Sequence, residues 1–311
     1  MSLPNFFIIG AAKAGTTALY WHLAEHPQVF MAEIKETNFF AYEPDERGRP
    51  VYGDPRLHHF PVRSLREYEA LFARAHAGAV GEASPIYLEA PSAAARIQSM
   101  CPHARIICAL RHPVERAYSD YLMFLRNQGM SFEPQRDFSP EAEWLQPGSH
   151  WMRTSRYHEP LQRYFAVFPR RQIHVLLFDD LCRDPLATVQ GIYRFLGVAD
   201  DFVPNLETPH NVGGLPAHMW LERLFHLGAN VRRRLEPLLP RRFTDGLRRL
   251  RAANMQRAPQ LPAELQARLT EHFADDIERT SRLIGRPLDA WLARIYLRRR
   301  AGDAESAAAR V

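Results

Sequence analysis

The sequence predicts an α/β fold: a parallel central sheet with helices on both faces, followed by a helical C-terminal part. Three observations carry this. Strand-sized apolar runs at Phe6–Ile9, Ile106–Leu110 and His174–Phe178 alternate with segments of helical periodicity. Such alternation belongs to parallel sheets whose crossover helices cover both faces. Beyond residue 200 the pattern turns helical and arginine-rich. The 311 residues are 46% hydrophobic, enough for a sizeable core. With no internal repeat or low-complexity linker, they read as one domain over 1–300. Its helical subregion covers about 216–300, and a flexible tail is expected over 301–311.

In chain order, Phe6–Ile9 is the first strand and Gly10 ends it. A helix is expected from Thr16 to Glu25, stopped by His26-Pro27. Gln28–Met31 is a short strand, and residues 43–63 are read as a surface excursion. Ser64 caps a helix running to Ala75, with Glu67 three residues on completing a capping box. Ala79–Ser84 is a second core strand, Pro91–Met100 a helix, and Ala104–Leu110 the clearest strand. Val114–Asn127 is helical, with Pro113 suited to its first turn. Residues 128–152 are expected to be irregular, forming a lid or a loop facing the acceptor. Arg156–Phe168 is a helix, Gln172–Phe178 a strand and Pro185–Leu196 a helix. A glycine-containing loop, 210–216, precedes a helix starting near Ala217.

The chemistry gathers where strands end. Gly10-Ala11-Ala12-Lys13-Ala14-Gly15-Thr16-Thr17 joins a strand to a helix start, a junction that offers backbone N–H groups and the positive end of a helix dipole to phosphate. The glycines are expected to supply unusual backbone angles and to clear Cβ atoms from an anion's path. The loop is P-loop-like, but a Walker A loop carries its lysine directly before the hydroxyl residue. Here Gly15 precedes Thr16 and the lysine is Lys13, so NTP hydrolysis with Mg²⁺ is not the natural reading. Arg111 ends the clearest strand, and Ser119 follows about two helical turns along. Together they suit a second anion site. Lysine is scarce: 38 of the 40 basic residues are arginine, leaving only Lys13 and Lys35. A compact ammonium fits a crowded phosphate where a forked guanidinium does not.

Residues 7–17 resemble the 5′-phosphosulfate loop of sulfotransferases that use 3′-phosphoadenosine 5′-phosphosulfate (PAPS). Residues 111–121, Arg-His-Pro-Val-Glu-Arg-Ala-Tyr-Ser-Asp-Tyr, resemble their 3′-phosphate segment. Lys35-Glu36-Thr37-Asn38-Phe39-Phe40, Gly81–Tyr87 and His174–Leu181 are similar to segments of the heparan sulfate sulfotransferase branch. The loop 210–216 is similar to a late nucleotide-binding loop of bacterial relatives. The resemblance implies a sulfotransferase moving a sulfuryl group from PAPS to a hydroxyl or amine of a carbohydrate, lipid or small molecule. It casts Lys13 and Glu36 as catalytic, Lys13 at the breaking bond and Glu36 as base. It assigns the nucleotide to Lys13, Ala14, Gly15, Thr16, Thr17, Arg111, Ser119, Asn211, Gly213 and Gly214. Acceptor contacts fall to Lys35, Glu82 and Tyr87. 3′-Phosphoadenosine 5′-phosphate (PAP) is the implied product, and no metal is expected. Ala83 stands where heparan-modifying members place lysine, and Asn38 where several place histidine, so a smaller sugar, a glycolipid, a lipid alcohol or a secondary metabolite fits as well. The rival readings are a P-loop small-molecule kinase and a non-catalytic nucleotide- or polyanion-binding module.

A net charge of +5 favours anionic partners without marking a nucleic-acid binder. Nine arginines between Arg232 and Arg257 form either a solvated face, a wall for an anionic acceptor or a peripheral membrane contact. His58 and His59 have the imidazoles of a base but no evident partner in sequence. Cys101, Cys108 and Cys182 show no metal spacing and suit buried thiols in a reducing compartment. No run of bilayer length and no leader precedes the first strand, so a cytoplasmic protein is expected.

Overall fold

The computed structural model describes residues 3–52, 57–76, 78–206, 214–216 and 254–293. Its frame is a five-stranded sheet of β1 (Phe6–Gly10), β2 (Val29–Met31), β3 (Ala79–Ala83), β4 (Arg105–Leu110) and β5 (Ile173–Leu177). The strand order is β2-β3-β1-β4-β5, and every pairing is parallel. β1 and β3 are buried along their whole length. That is why Phe6-Phe7-Ile8-Ile9 is a continuous apolar run without alternation: both faces are covered.

On one face α1 (Thr16–Ala24) packs against β1, β2 and β3 and touches α10 (Pro185–Leu196). On the other, α3 (Ile86–Glu89), α4 (Ala93–Met100) and α8 (His158–Val167) pack together, with α3 against β1. The remaining helices are α2 (Leu65–Ala70), α5 (Pro113–Asn127), α6 (Pro134–Asp137), α7 (His150–Arg153), α9 (Phe178–Arg183) and the long α11 (Ala263–Ile284). Ser64 and Glu67 form the expected capping box at α2, although the regular helix ends at Ala70. α3 and α9, each under two turns, are too short to show a period in sequence. α11 lies against α5 and α8, so the C-terminal part folds back on the sheet's helical layer. Arg286 pairs with Asp180 of α9 at 2.5 and 2.8 Å, and Trp291 Nε1 donates to Asp179 at 3.1 Å.

Residues 128–152 differ from the irregular lid expected of them. They contain α6 and a 3₁₀ turn at Glu143–Leu145, and their aromatic residues are core. Trp144 is fully buried, stacks on Tyr121 at 5.2 Å and donates Nε1–H to the Asp137 carbonyl at 2.7 Å. Tyr121 in turn donates to the buried Asp137 carboxylate at 2.7 Å. The segment is held by its own ring stack and backbone bonds, so it is a packed wall. Cys101 and Cys108 are buried as expected, whereas Cys182 is exposed on α9. Residues 207–213 and 217–253, with most of the arginine-rich stretch and the helix expected near Ala217, lie outside the described residues, as do 294–311. Leu215–Pro216 (β6) pairs antiparallel with Met255–Gln256 (β7). No helix among the described residues is long and apolar enough to cross a membrane.

One glycine explains how closely the central strands approach. A Cβ on Gly81 of β3 would lie 2.2 Å from the ring of Phe6 on β1. Strand backbone and aromatic ring cannot both give way, so overpacking of about 1–3 kcal/mol or more is expected from a single methyl. Gly81→Ala should therefore lower the urea midpoint with an unchanged slope, whereas Gly78→Ala, with open space around it, should leave the midpoint near that of the parent.

Candidate active site

The parallel sheet delivers the ends of β1, β3 and β4 to one edge, where open α/β sheets bind ligands. Backbone bonds continue past the strands: Ala11 N–H donates to Ala109 O at 2.6 Å, Ser84 N–H to Ile8 O at 3.0 Å, and Glu36 N–H to Ala83 O at 2.9 Å. The loop after β1, the turn after β3 and the Glu36 segment are thereby pinned to one another. Gly15 precedes α1 with φ +88°, and the first turn of α1 carries no acidic side chain to offset its positive end. This fits a phosphate group.

The loop glycines adopt the unusual backbone angles expected of them and have a second, steric reason as well. A Cβ on Gly15 would lie 2.7 Å from Leu181 and 3.1 Å from Phe178. One on Gly10 would lie 2.8 Å from Leu88 Cβ. They make room for α9 and α3 behind the loop as well as adopting positive φ. The non-glycine residues with positive φ among the described residues are Lys13 (67°), Glu36 (65°) and Asn38 (55°). All three line the same cleft, of about 450 Å³, with Thr16, Thr17 and Arg111. Left-handed backbone costs a non-glycine residue about 1–2 kcal/mol, so its gathering at one site marks geometry held by the surrounding fold.

Lys13 sits between charges of both signs. Burial pushes its pKa down, and Arg126 and Arg111 push the same way, while Asp120 and Glu36 oppose them. Its Nζ lies 3.4 Å from Met123 Sδ. Arg111 stacks on Phe178 at 4.7 Å and donates Nη1–H to the Lys13 carbonyl at 3.3 Å. Its contacts to Glu115, at 3.4 and 3.5 Å, are long. The guanidinium is thus positioned against the loop. Ser119 follows on α5 with Leu122, Met123 and Arg126, the three-and-four spacing of one helix face. That face lines a second cleft, of about 560 Å³, with Lys13, Arg111 and Gly214. Lys13, Arg111 and Ser119 belong to both clefts.

The expected acceptor contacts divide. Lys35 forms an ion pair with the Glu36 carboxylate next to it. Glu82 and Tyr87, by contrast, are fully buried. The Glu82 carboxylate accepts from Tyr68 at 2.7 Å, Tyr87 at 2.9 Å, Ser84 at 3.1 Å and Thr37 at 2.5 Å. Burial raises its pKa, and these four hydroxyls pull against that. Neither residue presents an atom to a ligand; both carry Thr37, and so the chain that bears Glu36 and Asn38. Asn211 and Gly213 lie outside the described residues.

Several contributors had no signal in the sequence. Tyr118 donates to Pro259 O at 2.8 Å, bringing 258–261 and Gln266 onto the second cleft. The His112 ring contacts Trp291 O at 3.1 Å, tying the motif Arg111-His112-Pro113 to the C-terminal segment. Arg116, 1% exposed, bonds to Ser155, Trp151 O and Thr154 at 2.7–2.9 Å and anchors α5 to α7. Asp120 is buried, yet the His150 ring 3.6 Å away and the charges of Arg116 and Lys13 bring its pKa down to about 2. His58, expected to stand alone, lies 3.9 Å from Glu89, with its ring 5.3 Å from that of His150. Only side-chain periodicity around Ser119 could have pointed to any of these.

Glu82→Ala would leave up to four buried hydroxyls short of an acceptor, at about 1–3 kcal/mol for each unsatisfied group. The expected result is a large fall in thermal midpoint together with loss of activity. A Glu82→Ala protein of parental stability with only a raised acceptor KM would restore the direct-contact role.

Residues 4–201 match the family described as "Sulfotransferase family". Human bifunctional heparan sulfate N-deacetylase/N-sulfotransferase 2 is 29% identical over 215 residues, covering 63% of this chain and 22% of that protein. A membrane-associated sulfotransferase of Dictyostelium discoideum is 32% identical over 173 residues, covering 55% of this chain and 33% of its own length. The matched region therefore spans about a fifth to a third of these relatives. A crystal structure of a sulfotransferase from Alicyclobacillus acidocaldarius superposes with a TM-score of 0.66 at 29% identity, covering 94% of this chain and 99% of that one. The matched span includes β1 to β5 and the loops that gather Lys13, Glu36, Arg111 and Ser119, and the chain belongs to the sulfotransferase family, as an enzyme of that type.

Proposed function

We propose that this enzyme transfers a sulfuryl group from PAPS to a hydroxyl or amine, with Glu36 as the base. One observation carries the reading: Lys13, Arg111 and Ser119 border two adjoining clefts at once, while Glu36 lines only the one that contains the phosphate loop. A donor with phosphates at two separated positions suits the pair of clefts. The loop 13–17 and the α1 N-terminus would hold the 5′-phosphate. Arg111 and Ser119 would hold the 3′-phosphate, with 258–261 closing the second cleft.

PAPS supplies an activated sulfuryl group whose departure needs no covalent enzyme intermediate. The chain's own contribution is positioning and charge. Glu36 takes the acceptor's proton as the acceptor oxygen or nitrogen bonds to sulfur. The bond from sulfur to the bridging oxygen breaks, and PAP leaves. Lys13, already crowded by Arg111 and Arg126 and short of solvent, gains most from negative charge developing on that bridging oxygen. Lys35 steadies the carboxylate of Glu36 until the acceptor arrives. For the acceptor, the heparan sulfate named in the relatives favours a carbohydrate. Asn38, which lines this cleft, is held there by its Nδ2–H bond to His59 O at 2.7 Å.

Calorimetric titration with PAP beside ATP and Mg²⁺ tests the donor: PAP should bind and ATP should not compete, while preference for ATP would support a kinase. Arg111→Ala should lose PAP affinity by about 10-fold or more, the loss of a charged hydrogen-bonding partner worth about 1.5–3 kcal/mol. Glu36→Gln should retain PAP affinity yet abolish transfer. A fully active Glu36→Gln enzyme would remove Glu36 as the base.

A further inference from the structure

We propose that His58, Glu89 and His150 form a binding site for a divalent transition-metal ion of the Zn²⁺ class, at the outer end of the phosphate-loop cleft. The three come from separate parts of the chain: the segment before α2, the last residue of α3 and the first of α7. One ligand-competent atom from each lies within 4.8 Å of the other two. Their side chains are 13%, 12% and 14% exposed, so the cluster is nearly dry but open to solvent on one side.

The chemistry of the donors selects the ion. Two imidazole nitrogens and one carboxylate oxygen are the mixed set that suits Zn²⁺, whereas Ca²⁺ and Mg²⁺ take oxygen ligands. A His₂Glu set leaves a fourth position for water or a substrate atom. Ligand atoms about 2.1 Å from a tetrahedral centre stand about 3.4 Å apart, so His58 and Glu89 at 3.9 Å are nearly in place. Modest rotation of the His150 ring closes the remaining gap.

Outer partners already orient two of the three. Tyr52 donates its hydroxyl to Glu89 Oε2 at 3.1 Å, and Asp120 Oδ2 lies 3.6 Å from His150 Nε2. A carboxylate behind a ligating histidine and a donor behind a ligating carboxylate are the usual second layer of a metal centre. A plain ion pair would use one imidazole for one carboxylate. Here two imidazoles converge on Glu89, and a divalent cation accepts all three lone pairs together.

The position gives the ion a use. His58, Glu89 and His150 line the phosphate-loop cleft with Lys13 and Glu36, and also line a neighbouring cleft with Arg153 and Arg163. Because the trio borders both clefts, an ion held there would stand where an acceptor passing from one cleft to the other could meet it. That use rests on the sulfuryl-transfer reading; the site itself does not.

The test is calorimetric titration of Zn²⁺ into the full-length, untagged, chelator-treated protein, with the absorption spectrum of the Co²⁺ form as a second readout. One Zn²⁺ per chain at micromolar affinity or tighter is expected, with Co²⁺ bands of four- or five-fold coordination. His150→Ala and Glu89→Gln should each weaken binding by about 100-fold, and Tyr52→Phe by about 10-fold. His272→Ala, in the neighbouring cleft but outside the trio, should bind as the parent does. Glu89→Gln preserves shape, so it decides the matter if His150→Ala does not fold. Zn²⁺ binding only in the millimolar range, or binding indifferent to Glu89→Gln, would overturn the site. PAP titration of the same samples reads the donor site separately, so failure of either proposal is visible without the other.

Discussion

β1 hydrogen-bonds on both sides, to β3 and to β4, and everything chemical in this chain hangs from that double pairing. Because the strands are parallel, their carboxyl ends share one edge, and the loops that leave those ends are gathered there too. The pairing is extended by three further backbone bonds, from Ala11, Ser84 and Glu36, that reach beyond the regular strands. A loop held on both flanks can sustain left-handed backbone at Lys13, Glu36 and Asn38. Gly81, the glycine that lets β3 approach Phe6, is a condition of that closeness.

Charge in the site is arranged in two tiers. Exposed to the clefts are Lys13, Arg111 and Glu36, each held by a neighbour that can release it: Met123, Glu115 and Lys35 respectively. Beside them stand two carboxylates held by protein groups: Glu82, fully buried, and Asp120, nearly buried at the wall of the cleft that Glu36 lines. Glu82 spends its lone pairs on hydroxyls and supports the Thr37–Asn38 chain. Asp120 spends its charge on Arg116, His150 and Lys13. Removing a partner from a buried, hydrogen-bonded carboxylate is strongly destabilising, so these two groups preserve the positions of the first tier.

The strand–loop–helix at residues 6–24, the capping box at Ser64 and the helices at 113–127 and 185–196 were legible because each is written in one short contiguous stretch of chain. The segments that carry Lys13 and Arg111, each placed where a strand ends, were legible for the same reason. The burial of Glu82 has no sign in the sequence, because a carboxylate beside a core strand has the same letters whether four hydroxyls surround it or water does. Residues 128–152 were misread as a lid because Trp144 and Tyr121 stack across 23 positions, a distance that no periodicity spans. His58 looked partnerless because Glu89 and His150 reach it only through the fold.

Local sequence carries the alternation of strands and helices, the strand–loop–helix junction at the first strand and the family to which they belong. These rest on local backbone preference and on residue types at short spacing. Only the tertiary structure decided which polar residues face the clefts and which are sealed behind them. It also decided that 258–266 would close on α5 and that His58, Glu89 and His150 would meet. The reason is physical: burial and convergence depend on crossovers that bring distant segments to one edge of a sheet. A side chain's chemistry is set by what stands within a few ångströms of it, not by what stands a few residues away.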